Sequence, residues 1–251
     1  MTQVKSMDFN FLIWLGEHVK ILSWINEHTI HIASAGFVAF SLLIISFLAG
    51  LKLRNIEKCL VPSKKISLAT LFDAAAEAIL NLLEGVMPAR QGDIGGGRAI
   101  KFLPLIGSIF VYIFCCNLLS VVPGFVPPTD NINTNLPIAL TVFIYYHVMG
   151  LREHGIKGYL KHFAGPIIWL APLMFSLEIV SHCVRPVSLS VRLFGNITGD
   201  HMVLGIFSNL TPLFIPVIFL LLALFVAFIQ AFVFSLLSTV YIALATEHEG
   251  H

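Results

Sequence analysis

The sequence predicts an all-α integral membrane protein, with several transmembrane helices followed by a long, strongly tilted helical hairpin in the C-terminal half. Three observations support this fold class. Hydrophobic residues make up 57% of the 251 residues and charged residues only 12%, whereas soluble domains are about a quarter charged. Several apolar runs are long enough to cross a hydrocarbon core of ~30 Å. Lys/Arg-rich loops alternate along the chain with a loop that lacks both, as the positive-inside rule requires.

Residues 1–30 are expected to form an N-terminal interfacial segment. Asp8 and Glu17 interrupt its apolar residues and no small-residue cleavage site follows, so a cleavable signal peptide is not predicted. The first span covers residues 31–51. The loop after it carries five Lys/Arg and a single Glu, which predicts a cytoplasmic loop and an N-terminus outside.

A second region, residues 31–162, comprises that first span, an amphipathic helix and a pair of spans. The amphipathic helix is predicted at 67–86 and either lies on the membrane surface or docks on a partner. The paired spans are predicted at 102–122 and 136–149. The latter is short for a crossing, so its ends are expected to continue into the flanks.

The loops around these two spans have opposite charge. The loop between them has no Lys or Arg and a single charge, Asp130, so it is predicted to lie outside. The loop 150–162 carries three basic residues, Arg152, Lys157 and Lys161. It is therefore predicted to be a cytoplasmic loop.

Residues 163–246 are expected to form the tilted hairpin. As a single helix, residues 163–207 would be roughly 65 Å long. That is twice the hydrocarbon thickness, so the segment either hides a buried turn or is kinked and tilted, with Pro186 as the candidate kink. A turn is predicted at 208–212 and a return helix at 213–245. The polar tail 247–251 is predicted to be cytoplasmic.

The first arm of the hairpin carries a polar stripe. At 100° per residue its members fall within roughly a third of the helix circumference: Glu178, His182, Arg185, Ser188, Arg192, Asn196 and Asp200. A charge at the bilayer centre costs about 2.5–3.5 kcal/mol. The stripe is therefore predicted to face protein or water and to be functional.

Within this polar stripe the residues have different chemistry. Arginine does not release its proton in a protein, so Arg192 is predicted to be a fixed counter-charge and a barrier to protons. Glu178, His182 and Asp200 can take up and release protons, which makes them the candidate carriers. Asn196, one turn after Arg192, could orient it.

Structural alternatives exist for two of these residues and for Gln230 outside the stripe. Glu178 could form an ion pair with Arg185, two turns on. His182 could be a hydrogen-bonded helix histidine without a further role. On the return helix, Gln230 could bond the neighbouring helix instead of approaching Arg192.

The sequence contains no nucleotide-binding, metalloprotease or hydrolase motif. We therefore expect no cofactor, no metal site and no catalysis by the chain itself. The net charge of +1 gives no reason to expect a nucleic-acid partner.

Three strings resemble one family. The strings SVRLFGNITGD and QAFVFSLLSTVYIALATEHE closely resemble subunit a of the membrane (F0) sector of F-type ATP synthases, and NLLSVVPGFVPPTDNINTNLPIAL resembles its outside loop. The likeness covers roughly residues 30–251. It implies that Arg192 is the essential arginine facing the ring of c subunits, that Asn196 and Gln230 flank it, and that Glu178 lies in the cytoplasmic half-channel. Arg185 falls where members carry a basic residue.

The chain departs from the family pattern on the outside half. Many bacterial members carry Glu nine residues after the arginine and His seven before the glutamine, where this chain has His201 and Ala223. Mitochondrial members have His at the first position and an acid at the second. Candidates for the missing outside group are Asp200, Asp130 and His18.

The resemblance implies the stator subunit of a rotary motor, which couples ion flow to ring rotation and ATP synthesis in an energy-transducing, bacterial inner membrane. Implied partners are the c-ring, the peripheral-stalk b subunits, the F1 head and the lipid bilayer. Protons are the favoured cargo, and sodium stays open because the ion-selecting groups lie mainly on the ring. Two alternatives are an independent proton-coupled secondary transporter and an intramembrane enzyme with a metal held by His182, His201 and Asp200.

Overall fold

The computed structural model describes residues 12, 29–53, 68–87, 97–122, 124–164, 168–210 and 214–246. Every regular element within these ranges is helical, so the all-α class is confirmed. The α-helices are α1 (Ile30–Leu53), α2 (Leu68–Val86), α3 (Gly97–Leu118), α4 (Ile132–Ala164), α5 (Ala171–Leu210) and α6 (Phe214–Thr246). Short 3-10 helices occupy Leu119–Val121, Pro128–Asp130 and Ile168–Leu170. Apart from residue 12 and the start of α1, the predictions for 1–30, including His18, and those for 247–251 lie outside the described residues.

Four helices are long and apolar enough to cross a membrane: Ile30–Leu51, Ala99–Val121, Ile132–Ile156 and Val217–Thr246. The predicted spans agree with them, and the short third span extends into its flanks as expected. Helix α5 has 40 residues, which is about 60 Å, but it contains the ionisable residues of the polar stripe. Such residues are rare in a membrane helix unless they face protein or water.

The predicted loop 150–162 is wrong, because α4 continues as a helix to Ala164. Its backbone leaves helical geometry only at Gly155, where φ is 68°, a conformation that glycine adopts without steric cost. Arg, Lys and Glu are good helix formers. The charges therefore indicated a position outside the hydrocarbon and carried no information against a helix.

The single-helix alternative for residues 163–207 is wrong at its start, because residues 163 and 164 end α4 and a 3-10 helix covers Ile168–Leu170. Helix α5 then runs from Ala171 to Leu210 with Pro186 inside it, and no turn interrupts it within those bounds. The Ser190 hydroxyl donates to the Pro186 carbonyl at 2.8 Å. The predicted turn at 208–212 is wrong for its first three residues, which are helical; residues 211 and 212 lie outside the described ranges. In an apolar medium backbone groups pair best within a helix, which favours its extension.

The hydrophobic core joins five of the six helices. Its buried members include Leu83 of α2, Ile106 of α3, Tyr146 of α4, Leu193 of α5 and Phe234 of α6. The apolar face of α2 packs on α3. The amphipathic helix thus packs on its own chain, while its two predicted positions, on the membrane surface or on a partner, stay predictions.

Candidate functional site

The polar residues of α5 lie at three heights along the helix. At 1.5 Å per residue, His182 is about 15 Å from Arg192 along the axis in one direction, and Asp200 is about 12 Å away in the other. Helix α5 therefore carries two groups of ionisable residues, separated by the level of Arg192.

The first group centres on His182, which is 8% exposed. Its Nδ1 lies 2.7 Å from the Tyr146 hydroxyl of α4, and its Nε2 lies 3.2 Å from Oε1 of Glu178. The ring of His147 approaches to 4.9 Å between centroids. Among described residues Glu178 pairs with His182, so the predicted alternative of a Glu178–Arg185 ion pair is wrong.

Arg185 makes a different contact. Its guanidinium carbon lies 5.0 Å from the centroid of the Tyr241 ring of α6, within the range of a cation–π interaction. This contact ties the first group of ionisable residues to the return helix.

Arg192 lies at the middle level, half-buried at the edge of the packed face of α5. No residue within the described ranges forms a hydrogen bond, an ion pair or a cation–π contact with it. Next to it, Ser188 and Gly195 are exposed, and a Cβ added at Gly195 or Gly199 would meet nothing within 4 Å. The charge of Arg192 thus lies beside an open helix face that is made of small residues.

Asn196 and Gln230 join the two arms of the hairpin. The Asn196 amide donates to Oε1 of Gln230 at 2.7 Å, so the bond between neighbouring helices predicted as the alternative for Gln230 is present. The Asn196–Gln230 bond and the Arg185–Tyr241 contact are separated by eleven residues along α5 and by eleven residues along α6. Helices α5 and α6 are therefore antiparallel in one constant register.

The second group of ionisable residues lies beyond Arg192. Asp200 and His201 are both half-buried, and Nε2 of His201 is buried without a hydrogen-bond partner among the residues that the structure describes. The Thr198 hydroxyl donates to Oδ1 of Asp130 at 2.8 Å. Asp130 belongs to the 3-10 helix that contacts α1, α3, α4 and α5, so the predicted outside loop reaches α5.

The buried amide of Asn117 lies at the end of α3 that leads into this loop. It is fully buried, and neither of its polar side-chain atoms has a hydrogen-bond partner. Buried polar groups are normally paired with protein or ordered water. The surroundings of this amide therefore favour internal water.

The metal-enzyme alternative is wrong on geometry. His182 and Asp200 are eighteen residues apart on one continuous helix, which separates them by about 27 Å. They cannot bind one ion together. The structure also shows no group of three His, Cys, Asp or Glu able to hold a metal among the residues it describes.

Sequence reasoning missed Tyr146, Tyr241, Thr198 and Asn117. Tyr146 and Asn117 are polar side chains inside spans, and such side chains need a partner. That rule could have marked them. The contacts of Thr198 and Tyr241 depend on the packing of distant segments, and no local pattern indicates them.

Comparisons with known proteins agree on one family. The profile of the family described as "ATP synthase A chain" matches residues 35–243. The ATP synthase subunit a of Bdellovibrio bacteriovorus is 38% identical over 230 residues, covering 92% of this chain and 97% of that protein. ATP synthase subunit a 1 of Syntrophotalea carbinolica is 40% identical over 248 residues, covering 97% and 98%. The subunit a of Geotalea daltonii is 41% identical over 220 residues, covering 88% of each.

A family profile that spans most of the chain, and relatives this similar over nearly their whole length, leave one assignment: this chain belongs to the ATP synthase A chain family.

Proposed function

We propose that this chain is the stator subunit of a rotary ATP synthase, in which it provides two offset proton half-channels separated by Arg192. Family membership supports a role as the a subunit of the F0 sector, a non-catalytic part of the complex. The observation that carries the finer proposal is the unpaired guanidinium of Arg192 within a membrane protein.

Arg192 needs an anionic partner, because an unpaired charge in the membrane is costly. None of the described residues supplies one. The open face beside it, with Ser188, Gly195 and Gly199, allows another helix to approach closely, as small residues do in membrane proteins. We assign this face to the c-ring, whose carboxylates pair with Arg192 in turn.

The cytoplasmic half-channel is assigned to the group around His182. Glu178 and His182 are within proton-exchange distance of each other, and Arg185 is held beside them by Tyr241. Both acid–base groups lie on the same side of Arg192.

The outside half-channel is assigned to Asp200, His201 and Asp130. The unpartnered Nε2 of His201 and the unpartnered amide of Asn117 favour water in this region. The Thr198–Asp130 bond holds one carboxylate of the outside loop against α5. Protons can move along a row of ionisable groups and water.

In this mechanism a proton enters from outside past Asp130, Asp200 and His201 and neutralises a carboxylate of the c-ring. The ring turns and brings that carboxylate to Arg192 from the other side. The fixed positive charge favours the ionised carboxylate, so the proton is lost to the cytoplasmic half-channel near Glu178 and His182. Arg192 also repels protons and prevents a direct leak between the half-channels.

The remaining assignments complete this proposal. The N-terminus lies outside and the C-terminus in the cytoplasm of a bacterial inner membrane. The hairpin 163–246 forms the ion-translocation face, with 1–30, 31–162 and 247–251 as the other regions. Peripheral-stalk b subunits and the F1 head are partners through the whole complex.

The test is Arg192→Ala in the whole complex, reconstituted in vesicles. ATP synthesis should stop, while passive proton flow through the membrane sector persists, because the barrier and the counter-charge are lost together. Arg152→Ala, an exposed arginine of α4, is the matched control and should synthesise ATP normally. Normal coupled synthesis by Arg192→Ala would contradict the proposal. Proton-coupled uptake of a substrate by the chain alone would favour the transporter alternative.

A further inference from the structure

Tyr146 is a buried group to which the proposed mechanism gives no task. Its side chain is 1% exposed, and its hydroxyl lies 2.7 Å from Nδ1 of His182. On the other side of the imidazole, Nε2 lies 3.2 Å from Oε1 of Glu178. The imidazole is thus held at both nitrogens, by side chains from two helices.

The donor and acceptor properties of these groups determine on which atom each proton lies. A carboxylate only accepts hydrogen bonds, so the Nε2 proton of His182 is directed at Glu178. In the neutral ring Nδ1 then carries a lone pair, and the Tyr146 hydroxyl donates to it.

We propose that Tyr146 is a positioning residue that holds His182 in the neutral form with its proton on Nε2. In this form the ring donates a hydrogen bond to Glu178 and adds no positive charge to the exit path. A second proton can bind Nδ1 only if the hydroxyl turns away, so the bond favours the neutral ring. The inference rests on the proposed place of Glu178 and His182 in the cytoplasmic half-channel.

The surroundings make the charge of this ring important. The titratable or charged groups that face it from α4, α5 and α6 are Glu178, Arg185, Tyr146, His147, Tyr159 and Tyr241. Arg185 already contributes one positive charge. An imidazolium would add a second next to Glu178, and it would weaken the hold of that carboxylate on a passing proton.

His147 is fixed by its own contact. Its Nδ1 proton is donated to the Phe143 carbonyl at 2.9 Å, because a carbonyl oxygen only accepts. His147 is therefore not the donor that replaces Tyr146 at Nδ1 of His182. The Tyr146 hydroxyl, 2.7 Å away, is the group that faces Nδ1 of His182.

The experiment is Tyr146→Phe in the intact complex, in inverted membrane vesicles. ATP-driven proton pumping is measured from pH 8 to pH 6 and expressed as the ratio to wild type at each pH, which cancels the pH dependence of the F1 head. Without the hydroxyl, protonation of Nδ1 no longer has to displace a hydrogen-bond donor, although burial of the ring and the charge of Arg185 still oppose it. The ratio should therefore be close to one at pH 8 and lower at pH 6. The loss at pH 6 should be at most about fourfold, which is the value for an ordinary imidazole that is about three-quarters charged at that pH.

Two variants make the result specific. Tyr145→Phe changes the neighbouring tyrosine, which packs edge-on against Phe102 with centroids 6.3 Å apart, and its ratio should not change with pH. The double variant Tyr146→Phe/His182→Gln has no ring to protonate, so its ratio should also be independent of pH. His182→Gln alone should give the same flat profile, and each ratio is normalised to the amount of assembled complex, because reduced assembly of Tyr146→Phe lowers pumping equally at all pH values.

A loss in Tyr146→Phe that is equal at all pH values would overturn the inference, and so would a pH-dependent loss that persists in either His182→Gln variant. These outcomes are separate from the test of the proposed function. Coupled synthesis by Arg192→Ala would reject the half-channel assignment as a whole. A flat Tyr146→Phe profile, with Arg192→Ala inactive, would reject only the role of Tyr146.

Discussion

The two halves of α5 on either side of Arg192 are built differently. In the half with His182, both imidazole nitrogens have side-chain partners and Arg185 contacts Tyr241. In the half with His201, Nε2 of that histidine is buried without a partner, and Asp200 makes no hydrogen bond to any described residue.

In the proposed mechanism, this difference predicts how each half conducts protons. A buried polar atom without a partner costs about 1–3 kcal/mol, so the surroundings of His201 favour water that supplies the missing bond. The half with His182 is organised by its own side chains. We therefore expect specific geometry to matter near His182, and charge to matter more than geometry near His201.

The largest expected effect comes from removing the charge of Asp130, which contacts the half of α5 that contains His201. Asp130→Asn keeps an acceptor for Thr198 but removes the charge, and we expect ATP-driven proton pumping to fall about a hundredfold, the lower end of the loss for a positioned proton-transfer group. Thr198→Val keeps the charge and removes the bond at 2.8 Å. Its pumping should fall by about fivefold at most, the scale of one net hydrogen bond of about 1 kcal/mol. Equal losses in the two variants would show that geometry governs this half as well.

A second pair of variants compares Gly150, which is tightly packed within the chain, with Gly199 on the open face of α5. A Cβ at Gly150 would lie 2.6 Å from Cε2 of Tyr159 and 3.1 Å from the Ala245 carbonyl oxygen. Overpacking of this kind costs about 1–3 kcal/mol, so Gly150→Ala should lower the thermal unfolding temperature of the purified complex. Gly199→Ala meets nothing within this chain and should leave that temperature unchanged while reducing pumping several-fold, as for the loss of close helix contact. A stable and fully active Gly199→Ala variant would argue against a partner helix on this face.

The smallest expected effect concerns the boundary between the halves. A double-mutant cycle of Asn196→Ala and Gln230→Ala measures the bond between α5 and α6. Such bonds in membrane helices couple by about 0.6 kcal/mol on average. Unfolding of the complex in denaturing detergent provides the readout. A coupling energy near zero would mean that the 2.7 Å contact does not stabilise the hairpin.

Much of the fold follows from the sequence, because the apolar runs and the charge bias of the loops obey bilayer physics. The spans at 31–51 and 102–122 were predictable for that reason. The helix that continues after Gly150 was not predictable, because charged helix-forming residues occur both at membrane boundaries and in loops. The continuation of α5 through Ser208 was also missed. Turn-forming residues in water lose that preference where backbone groups must pair internally.

The candidate site was predictable only along one helix. The α5 residues were identified because ionisable groups in an apolar run are conspicuous, and their placement on one stripe followed from helix geometry. The partners Tyr146 and Tyr241 lie on other helices, at sequence separations that periodicity does not reach. Their roles depend on the packing of α4 and α6 against α5.

The constant register between α5 and α6 has a mechanical consequence. In the proposed motor, the rotating ring pushes on its stator, and the reaction force acts on the face of α5 that carries Arg192. Sliding of α5 along α6 would have to break the Asn196–Gln230 bond and the Arg185–Tyr241 contact together, because both lie in the same register. These two contacts oppose sliding of one helix along the other, and in the proposed motor they help to keep Arg192 at one height while the ring turns.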